Sequence, residues 1–217
     1  MKIGLLFGSS GLIGNNLLDN LISDKNYKKI KLFVRHNITI NHPKIEIIYT
    51  DFKNLEKHKS DITGDDCFFC IGTTIKNTPD KNEYRRVEHT IPIEIAKIAK
   101  SNYVKSFMYV SSGFANPKSS GFYLKNKGEV EEELKNLKFK NLGLLRPSFL
   151  LGNRKEQRIG EKIGIQIFKL LTPFFLGSLK KMRPIKASDV AKAMIVLANS
   201  SFKKTIYESN EIVDLLN

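Results

Sequence analysis

The chain lacks any apolar run long enough to cross a membrane as a helix, which needs about 18 consecutive apolar residues. The best candidate, Ile165 to Leu179, is interrupted by Gln166, Lys169 and Pro173. A secretory signal peptide is not expected either, because the apolar stretch near the N-terminus is only about five residues long and no A-x-A-like cleavage site follows it. These absences predict a cytoplasmic protein with no membrane span.

Cysteine is scarce, and its placement argues against a redox motif or a zinc site. Cys67 and Cys70 form a C-x-x-C, but no second pair completes a zinc site. They lie in a run of strand character, DDCFFCIG, where residues three apart point to opposite faces. We therefore predict two buried free thiols. We predict no metal site, because metal-ligand spacing is absent from His36, His42, His58 and His89.

Acidic residues are too few to balance the basic ones, and the formal net charge is +14. The basic residues are 29 lysines and 7 arginines, and the lysines are scattered along the chain. Base recognition and bidentate phosphate clamps favour arginine, and no helix-turn-helix or RNA-binding signature is recognisable. We expect no nucleic-acid partner, whereas the charge favours anionic ligands such as phosphorylated cofactors.

Short apolar strands alternate with amphipathic helices along the 217 residues, whose 41% apolar content is typical of one globular domain. The alternation predicts an α/β fold with a doubly wound parallel sheet between two helical layers. Ligands bind such sheets at the carboxyl ends of the strands. Strands are predicted at residues 3–7, 29–34, 45–49, 67–71, 107–110 and 142–145, and long helices from residue 12, at 82–100 and at 122–137.

A glycine turn links the first strand to the first helix in MKIGLLFGSSGLIG. Gly8 permits the tight turn, Gly11 leaves the backbone accessible to a pyrophosphate, and Gly14 lets the helix pack closely. The helix N-terminus offers N–H groups and a partial positive charge to phosphates. An ordinary turn without a ligand is the alternative. The predicted phosphate cradle consists of Gly8, Ser9, Ser10, Gly11, Leu12, Ile13 and Gly14.

Tyr123 and Lys127 form a Y-x-x-x-K, and the four-residue step places both side chains on one face of a predicted helix. A free tyrosine has a pKa of about 10, and a neighbouring ammonium favours the ionised form that acid–base chemistry needs. The spacing alone is weak evidence, because both residues are common on helix surfaces. Its position matters more: the pair follows Ser112 by eleven residues and begins the helix after the fifth strand.

The segment GSSGLIGNNLL resembles the opening of the short-chain dehydrogenase/reductase superfamily, in its extended and atypical branches. The resemblance implies a Rossmann-like fold and a nicotinamide dinucleotide cofactor. VSSG at residues 110–113 is similar to the serine segment of that superfamily. By this resemblance Ser112, with Ser111 as the runner-up, holds the substrate oxygen, and Tyr123 is the general acid or base. Lys127 assists the tyrosine and holds the nicotinamide ribose.

Other segments resemble the cofactor-contacting parts of the same superfamily. Asp51-Phe52 resembles the adenine-contacting pair, and Gly72-Thr73 resembles the segment beneath the cofactor. Arg146-Pro147-Ser148 resembles the turn near the nicotinamide carboxamide, and a late signature from Pro184 makes Ser188 the expected N-cap of the last major helix. Beyond the glycine turn, the implied cofactor-binding residues are Asp51, Phe52, Gly72, Thr73, Thr74, Ser111, Tyr123, Lys127 and Pro147.

A narrower resemblance runs over nearly the whole chain. Four segments look like the Tat-interacting oxidoreductase family of atypical short-chain dehydrogenases: CIGTT, SSGFANPKSSGFYLKNKGEVEEEL, LRPSFLLGNRKE and IYESNEIVDL. The resemblance is specific for cofactor binding and much less so for the reaction.

Arg35 bears on the choice of cofactor, because the second predicted strand ends in Val-Arg-His. An acidic residue there would accept hydrogen bonds from the ribose of NAD and repel a 2′-phosphate, whereas a cation suits that phosphate. We therefore predict that NADP(H) is preferred over NAD(H). A solvated arginine without selectivity is the alternative.

These observations predict an NADP(H)-dependent oxidoreductase acting on a small carbonyl or alcohol. A non-enzymatic NADP(H)-sensing or interaction protein is the alternative, and a sugar-nucleotide epimerase is the third reading. Residues 148–217 form a small C-terminal, substrate-side part of the one predicted domain. An amphipathic segment at residues 159–171 could line the pocket, pack on the sheet or form the surface of a homodimer.

Overall fold

The strands that carry the fold run parallel, so their carboxyl ends lie along one edge of a sheet. The computed structural model describes residues 1–152, 177–201 and 204–217. The strands in that part of the chain are β1 (Lys2–Phe7), β2 (Tyr27–Val34), β3 (Ile45–Tyr49), β4 (Asp66–Phe69), β5 (Ser106–Val110), β6 (Asn141–Arg146), β7 (Leu150–Leu151), β8 (Ile185–Lys186) and β9 (Ile206–Glu208). The main sheet has the order β3-β2-β1-β4-β5-β6-β9, and β7 pairs with β8 in a small second sheet.

Helices cover both faces of the main sheet. The described helices are α1 (Leu12–Ser23), α2 (Lys81–Arg85), α3 (Ile91–Ser101), α4 (Phe122–Asn136), α5 (Ala187–Asn199) and α6 (Ser209–Asp214). One apolar cluster joins α1 and α5 to the sheet through residues such as Leu17 and Met194. A second cluster joins α3 and α4 to the other face through Ile95 and Val130. The predicted doubly wound, three-layer α/β/α fold is confirmed.

The centre of the sheet is built around β1, whose neighbours on both sides are parallel strands. Phe7 pairs in register with Phe33 of β2 and Phe69 of β4. The rings of Phe7 and Phe33 stack with centroids 4.2 Å apart, and Phe69 lies 6.1 Å from Phe7 on the other side. Such aromatic contacts add about 0.5–1.5 kcal/mol each to the free energy of burial. They anchor the strand that leads into the glycine turn.

The six predicted strands begin and end within two residues of their predicted positions. The helix predicted at residues 82–100 is wrong in one respect, because a π-helical turn at Arg86–Thr90 separates α2 from α3. Pro92 explains the interruption. Its ring nitrogen has no hydrogen to donate to the carbonyl of Glu88, four residues earlier, so a regular α-helix cannot continue through it.

Two further expectations concern the C-terminal part of the chain. Ser188 is not the N-cap of α5: the cap is Lys186, and Ser188 lies in the first turn. The segment at residues 159–171 lies outside the described residues. Strand β9, which the sequence analysis did not predict, extends the sheet beside β6. None of the described helices has the length and apolar character needed to cross a membrane.

Cys67 and Cys70 are free thiols on opposite sides of the sheet, as predicted, but Cys70 is only partly buried because it lines the cleft at the carboxyl ends of the strands. Cys67 is fully buried in the cluster beneath α3, whereas Cys70 packs against the cluster beneath α5, with its sulfur 3.9 Å from that of Met194. Burial raises the pKa of Cys67 well above its usual value and that of Cys70 to about 12. Both thiols are therefore protonated at neutral pH.

We expect both cysteines to react slowly with iodoacetamide in the folded protein. The thiolate is the reactive form, and a thiol with a pKa near 12 holds on the order of a thousandth of the thiolate of a thiol with a pKa near 9. Alkylation at pH 8, followed by mass spectrometry, should be at least about 100-fold slower than in the same chain unfolded in urea. Equal rates for Cys70 in the two states would contradict its burial.

Candidate functional site

The glycine turn after β1 brings backbone atoms closer together than any side chain would allow. Gly8 has a φ of 91°, and a Cβ there would lie 2.7 Å from the carbonyl carbon of Cys70. A Cβ on Gly14 would lie only 2.0 Å from the carbonyl oxygen of Gly8. Both glycines are therefore required by the packing of α1 against β1 and the loop after β4.

Gly11 differs, because the protein around it leaves room for a side chain. The nearest atom to a Cβ on Gly11 is the carbonyl oxygen of Gly8, at an ordinary contact distance of 3.4 Å. Gly11 is the N-cap of α1, makes no side-chain cap and is followed by a first turn without acidic residues. The N–H groups and the positive end of the helix dipole thus remain available to an anion.

The turn opens into a cleft of about 1600 Å³ at the carboxyl ends of the strands. Most of the predicted site residues meet there. Those that line it are Ser9, Ser10, Gly11, Leu12, Ile13, Gly72, Thr73, Thr74, Ser111, Ser112, Tyr123, Lys127 and Pro147. Gly8 and Gly14 shape the turn, and Arg35, Asp51 and Phe52 are not among the residues that line the cleft.

Arg35 lies exposed just beyond β2, in a group of charged side chains. Glu83 is bonded there to Arg86 through both carboxylate oxygens, at 2.7 Å each. This bond, with smaller contributions from the charges of Lys53 and Arg35, lowers the pKa of Glu83. Asp51 and Glu94 also act on Arg86, so Arg35 lies in a cluster of mixed charge.

The ring of Phe52, which was predicted together with Asp51 as an adenine-contacting pair, lies in the core and does not line the cleft. Its side chain is buried, and the ring centroid lies 6.4 Å from that of Phe7 in the core. The backbone of Phe52 has a φ of 58°, and its carbonyl accepts a hydrogen bond from Arg86 at 3.1 Å. The ring is drawn inward because it buries more apolar surface there than an open cleft provides. Asp51 remains exposed beside it.

The two candidate serines have different surroundings. The hydroxyl of Ser111 donates to the carboxylate of Glu131, a buried residue that also receives two hydrogen bonds from Arg146. Among the residues that the structure describes, the hydroxyl of Ser112 has a single long contact, of 3.3 Å, with the carbonyl of Gly113. Ser111 is therefore committed to a buried network, whereas Ser112 is the serine available to a ligand.

Lys127 is buried at the inner end of the cleft, where its ammonium has three partners. It donates to the hydroxyl of Tyr109 at 3.0 Å and to the carbonyl of Val110 at 3.1 Å, and it lies 2.9 Å from Oε2 of Glu88. Burial lowers the pKa of Lys127, but the carboxylate and the neighbouring phenols outweigh this effect and hold the pKa well above its usual value. Lys127 is thus protonated at neutral pH.

Tyr123 lies one helical turn from Lys127, at the mouth of the cleft. Its side chain is 42% exposed. Within the part of the chain that the structure describes, its hydroxyl makes no hydrogen bond, although it lies close enough to Lys127 for the two groups to interact electrostatically. The hydroxyl is therefore available to a molecule bound in the cleft.

Residues 8–200 match the NAD(P)H-binding family. The chain belongs to this family. It is 31% identical to Protein FMP52-1, mitochondrial, of Scheffersomyces stipitis over 97% of this chain and 96% of that protein. It is 32% identical to Protein HTATIP2 of the rat over 77% of this chain and 70% of that protein. The predicted relationship to the atypical short-chain dehydrogenases is confirmed.

A solved structure of similar fold is a UDP-N-acetylglucosamine 4-epimerase from Methanobrevibacter ruminantium M1, in complex with UDP-N-acetylmuramic acid. The TM-score is 0.71 at 17% identity, over 95% of this chain and 75% of that chain. At this identity the likeness establishes the Rossmann-like fold. It does not extend to the reaction.

The prediction of a cytoplasmic location is wrong. The fungal relatives, including that of Scheffersomyces stipitis, are named mitochondrial proteins. The prediction depended on the lack of a secretory signal and of a membrane span, and neither property distinguishes the cytoplasm from the interior of an organelle.

Two residues that contact Lys127, Glu88 and Tyr109, were not predicted from the sequence. Tyr109 looked like one more apolar residue in a buried strand. Glu88 carried a signal, because it shares the spacing of the apolar stripe formed by Ile91, Ile95 and Ile98. A carboxylate on such a stripe must be buried, and a buried carboxylate needs a partner.

We expect Gly11→Ala to weaken cofactor binding with little effect on folding. The added methyl group fits within the protein but projects where a pyrophosphate would approach the backbone. The dissociation constant for NADPH, measured by fluorescence, should rise at least about tenfold, which corresponds to about 1.4 kcal/mol. The free energy of unfolding should fall by no more than about 1 kcal/mol, the usual effect of a poorer N-cap.

Gly121→Ala is the matched control, because Gly121 is also an N-cap and a Cβ there meets only the Ser119 hydroxyl at 3.5 Å. It should leave NADPH binding unchanged. Unaltered binding by Gly11→Ala would mean that the phosphates lie elsewhere.

Proposed function

We propose that this chain is an NADP(H)-dependent oxidoreductase that interconverts a small carbonyl compound and its alcohol. The observation that supports this most directly is the meeting of Ser112, Tyr123 and Lys127 on one cleft with the glycine turn. The family supplies the cofactor class, and the glycine turn fits it, because its backbone is open to phosphate at Gly11. When bound, the cofactor supplies or accepts a hydride.

The roles of the side chains follow from their placement. The hydroxyl of Tyr123 donates a proton to the carbonyl oxygen, or takes one from the alcohol. The hydroxyl of Ser112 holds the same oxygen. After Tyr123 has donated its proton, the buried ammonium of Lys127 stabilises the resulting phenolate. The attraction between these opposite charges is strong because the interior around them is poorly solvated.

The epimerase reading has less support. The structural neighbour extends beyond this chain, which covers 75% of its length. Turnover distinguishes the two remaining hypotheses: an oxidoreductase consumes NADPH when a substrate is present, whereas a non-enzymatic sensing protein binds NADPH without consuming it.

Tyr123→Phe should abolish turnover and spare cofactor binding. Loss of the proton donor is expected to lower kcat at least about 100-fold, because general acid catalysis contributes about 10²–10⁴. The measurement is NADPH consumption over a panel of aldehydes and ketones, with NADPH affinity determined in parallel.

Tyr103→Phe is the control, since Tyr103 is 88% exposed and does not line the cleft. It should behave as the unaltered chain. An unchanged kcat in Tyr123→Phe would rule the mechanism out, and NADPH binding without any turnover in the unaltered chain would favour the sensing protein.

The preference for NADP(H) is a separate proposal, and it depends on Arg35. We expect the unaltered chain to bind NADPH more tightly than NADH, and Arg35→Ala to weaken NADPH binding at least about tenfold while leaving NADH binding unchanged. Lys28→Ala removes an exposed cation from the opposite end of β2 and should alter neither affinity. Equal affinities of the unaltered chain for the two cofactors would refute the preference.

A further inference from the structure

Glu88 is a buried carboxylate that joins two parts of the cleft. It lies on the π-helical turn between α2 and α3, and its side chain is only 2% exposed. Its Oε1 accepts a hydrogen bond from the backbone N–H of Thr73, in the loop after β4. Its Oε2 lies 2.9 Å from the ammonium of Lys127 on α4. One side chain thus connects the floor of the cleft to the lysine beside Tyr123.

The contact with Lys127 is one of charge more than of hydrogen bonding. Among the described residues, Oε2 of Glu88 accepts no hydrogen bond, whereas Lys127 directs two of its N–H groups to Tyr109 and Val110. An ion pair without full hydrogen bonding is a poor way to stabilise a core, because two apolar side chains of the same volume would pack as well. The pair therefore needs an explanation other than stability.

Glu88 supplies the negative charge that faces the ammonium of Lys127. The titratable groups that face its ammonium are Glu88 on the π-helical turn, Tyr109 on β5, Tyr123 on α4 and Tyr84 on α2. Burial raises the pKa of Tyr109 and of Tyr84, so both phenols are neutral at physiological pH. Of these four groups, Glu88 is the one carboxylate, and it therefore carries the negative charge at physiological pH. Without it, burial would govern Lys127 and favour the neutral amine.

We infer that Glu88 is a positioning residue, which holds Lys127 charged and in place and ties it to the segment beneath the cofactor. This inference rests on the proposed role of Lys127 in holding the nicotinamide ribose and assisting Tyr123. Glu88 itself transfers no proton to substrate. Its contribution is to keep the ammonium from titrating over the pH range in which the protein works.

The first test compares Glu88→Gln, Glu88→Asp and the unaltered chain. NADPH affinity is measured from about pH 6.5 to 10, together with the pH profile of kcat wherever turnover is found. The unaltered chain should bind NADPH equally over this range. Glu88→Gln should lose at least about tenfold in affinity as pH rises, because its buried amine deprotonates at lower pH. Glu88→Asp should restore most of the unaltered profile.

A control is needed to show that the pH-dependent loss of NADPH affinity is specific to Glu88 and does not follow from removing any carboxylate near α4. Glu129 lies on α4 two residues beyond Lys127 and pairs with Arg85 at 2.7 Å. Glu129→Gln should keep the unaltered pH profile. If Glu88→Gln weakens binding by the same factor at every pH, its role is structural and the inference is overturned.

A second measurement needs no variant of Glu88 and no turnover. The ε-carbon of Lys127 is followed by ¹³C NMR in the unaltered chain, with the signal assigned by its loss in Lys127→Arg. The amine should stay protonated beyond about pH 10.5, the usual lysine pKa. Deprotonation below that pH would overturn the inference. If no carbonyl substrate is turned over, the proposed oxidoreductase function is refuted but the inference about Glu88 is not. The pH profiles of NADPH binding and of the Lys127 NMR signal would still decide the role of Glu88.

Discussion

Parallel pairing of the seven strands is the constraint on which the site depends. Since every strand enters from the same side, the loops that follow β1, β4, β5 and β6 all emerge at one edge of the sheet. The glycine turn, the Gly72-Thr73 segment, the two serines and Pro147 are therefore neighbours, although almost 140 residues separate the first from the last. The backbone contact between Gly8 and Gly14 then sets how closely α1 approaches this edge.

Two buried carboxylates organise the inner wall of the cleft. Glu131 binds Ser111 and Arg146, which links α4 to β5 and β6. Glu88 binds Thr73 and pairs with Lys127, which links the π-helical turn to the loop after β4 and to α4. Removing one member of a buried ion pair typically costs about 3–5 kcal/mol, because the remaining charge has no partner. Both carboxylates thus make the positions of the candidate catalytic residues dependent on contacts between distant parts of the chain.

Local pattern was enough to predict the six longer strands, the three-layer arrangement and the glycine turn. Alternating burial, glycine spacing and the Y-x-x-x-K step involve residues within a few positions of one another. The errors arose where a longer-range effect competed. Pro92 interrupted a helix that periodicity alone would have continued, and the apolar core buries the ring of Phe52, which the sequence pattern had assigned to a ligand contact. Ser112 was already preferred to Ser111 from the sequence, but the bond that commits Ser111 to Glu131, twenty residues further along the chain, was not foreseen.

By itself, the sequence determined the α/β class, the glycine turn after the first strand and the membership in the NAD(P)H-binding family, because these depend on short spacings and on recurring motifs. Only the tertiary structure decided which groups surround Lys127. Glu88, Tyr109 and Lys127 come from a helical turn, a strand and another helix, and they meet because α3 and α4 pack side by side on the same face of the sheet. The charge state of a buried side chain depends on such neighbours in space, and no spacing along the chain specifies them.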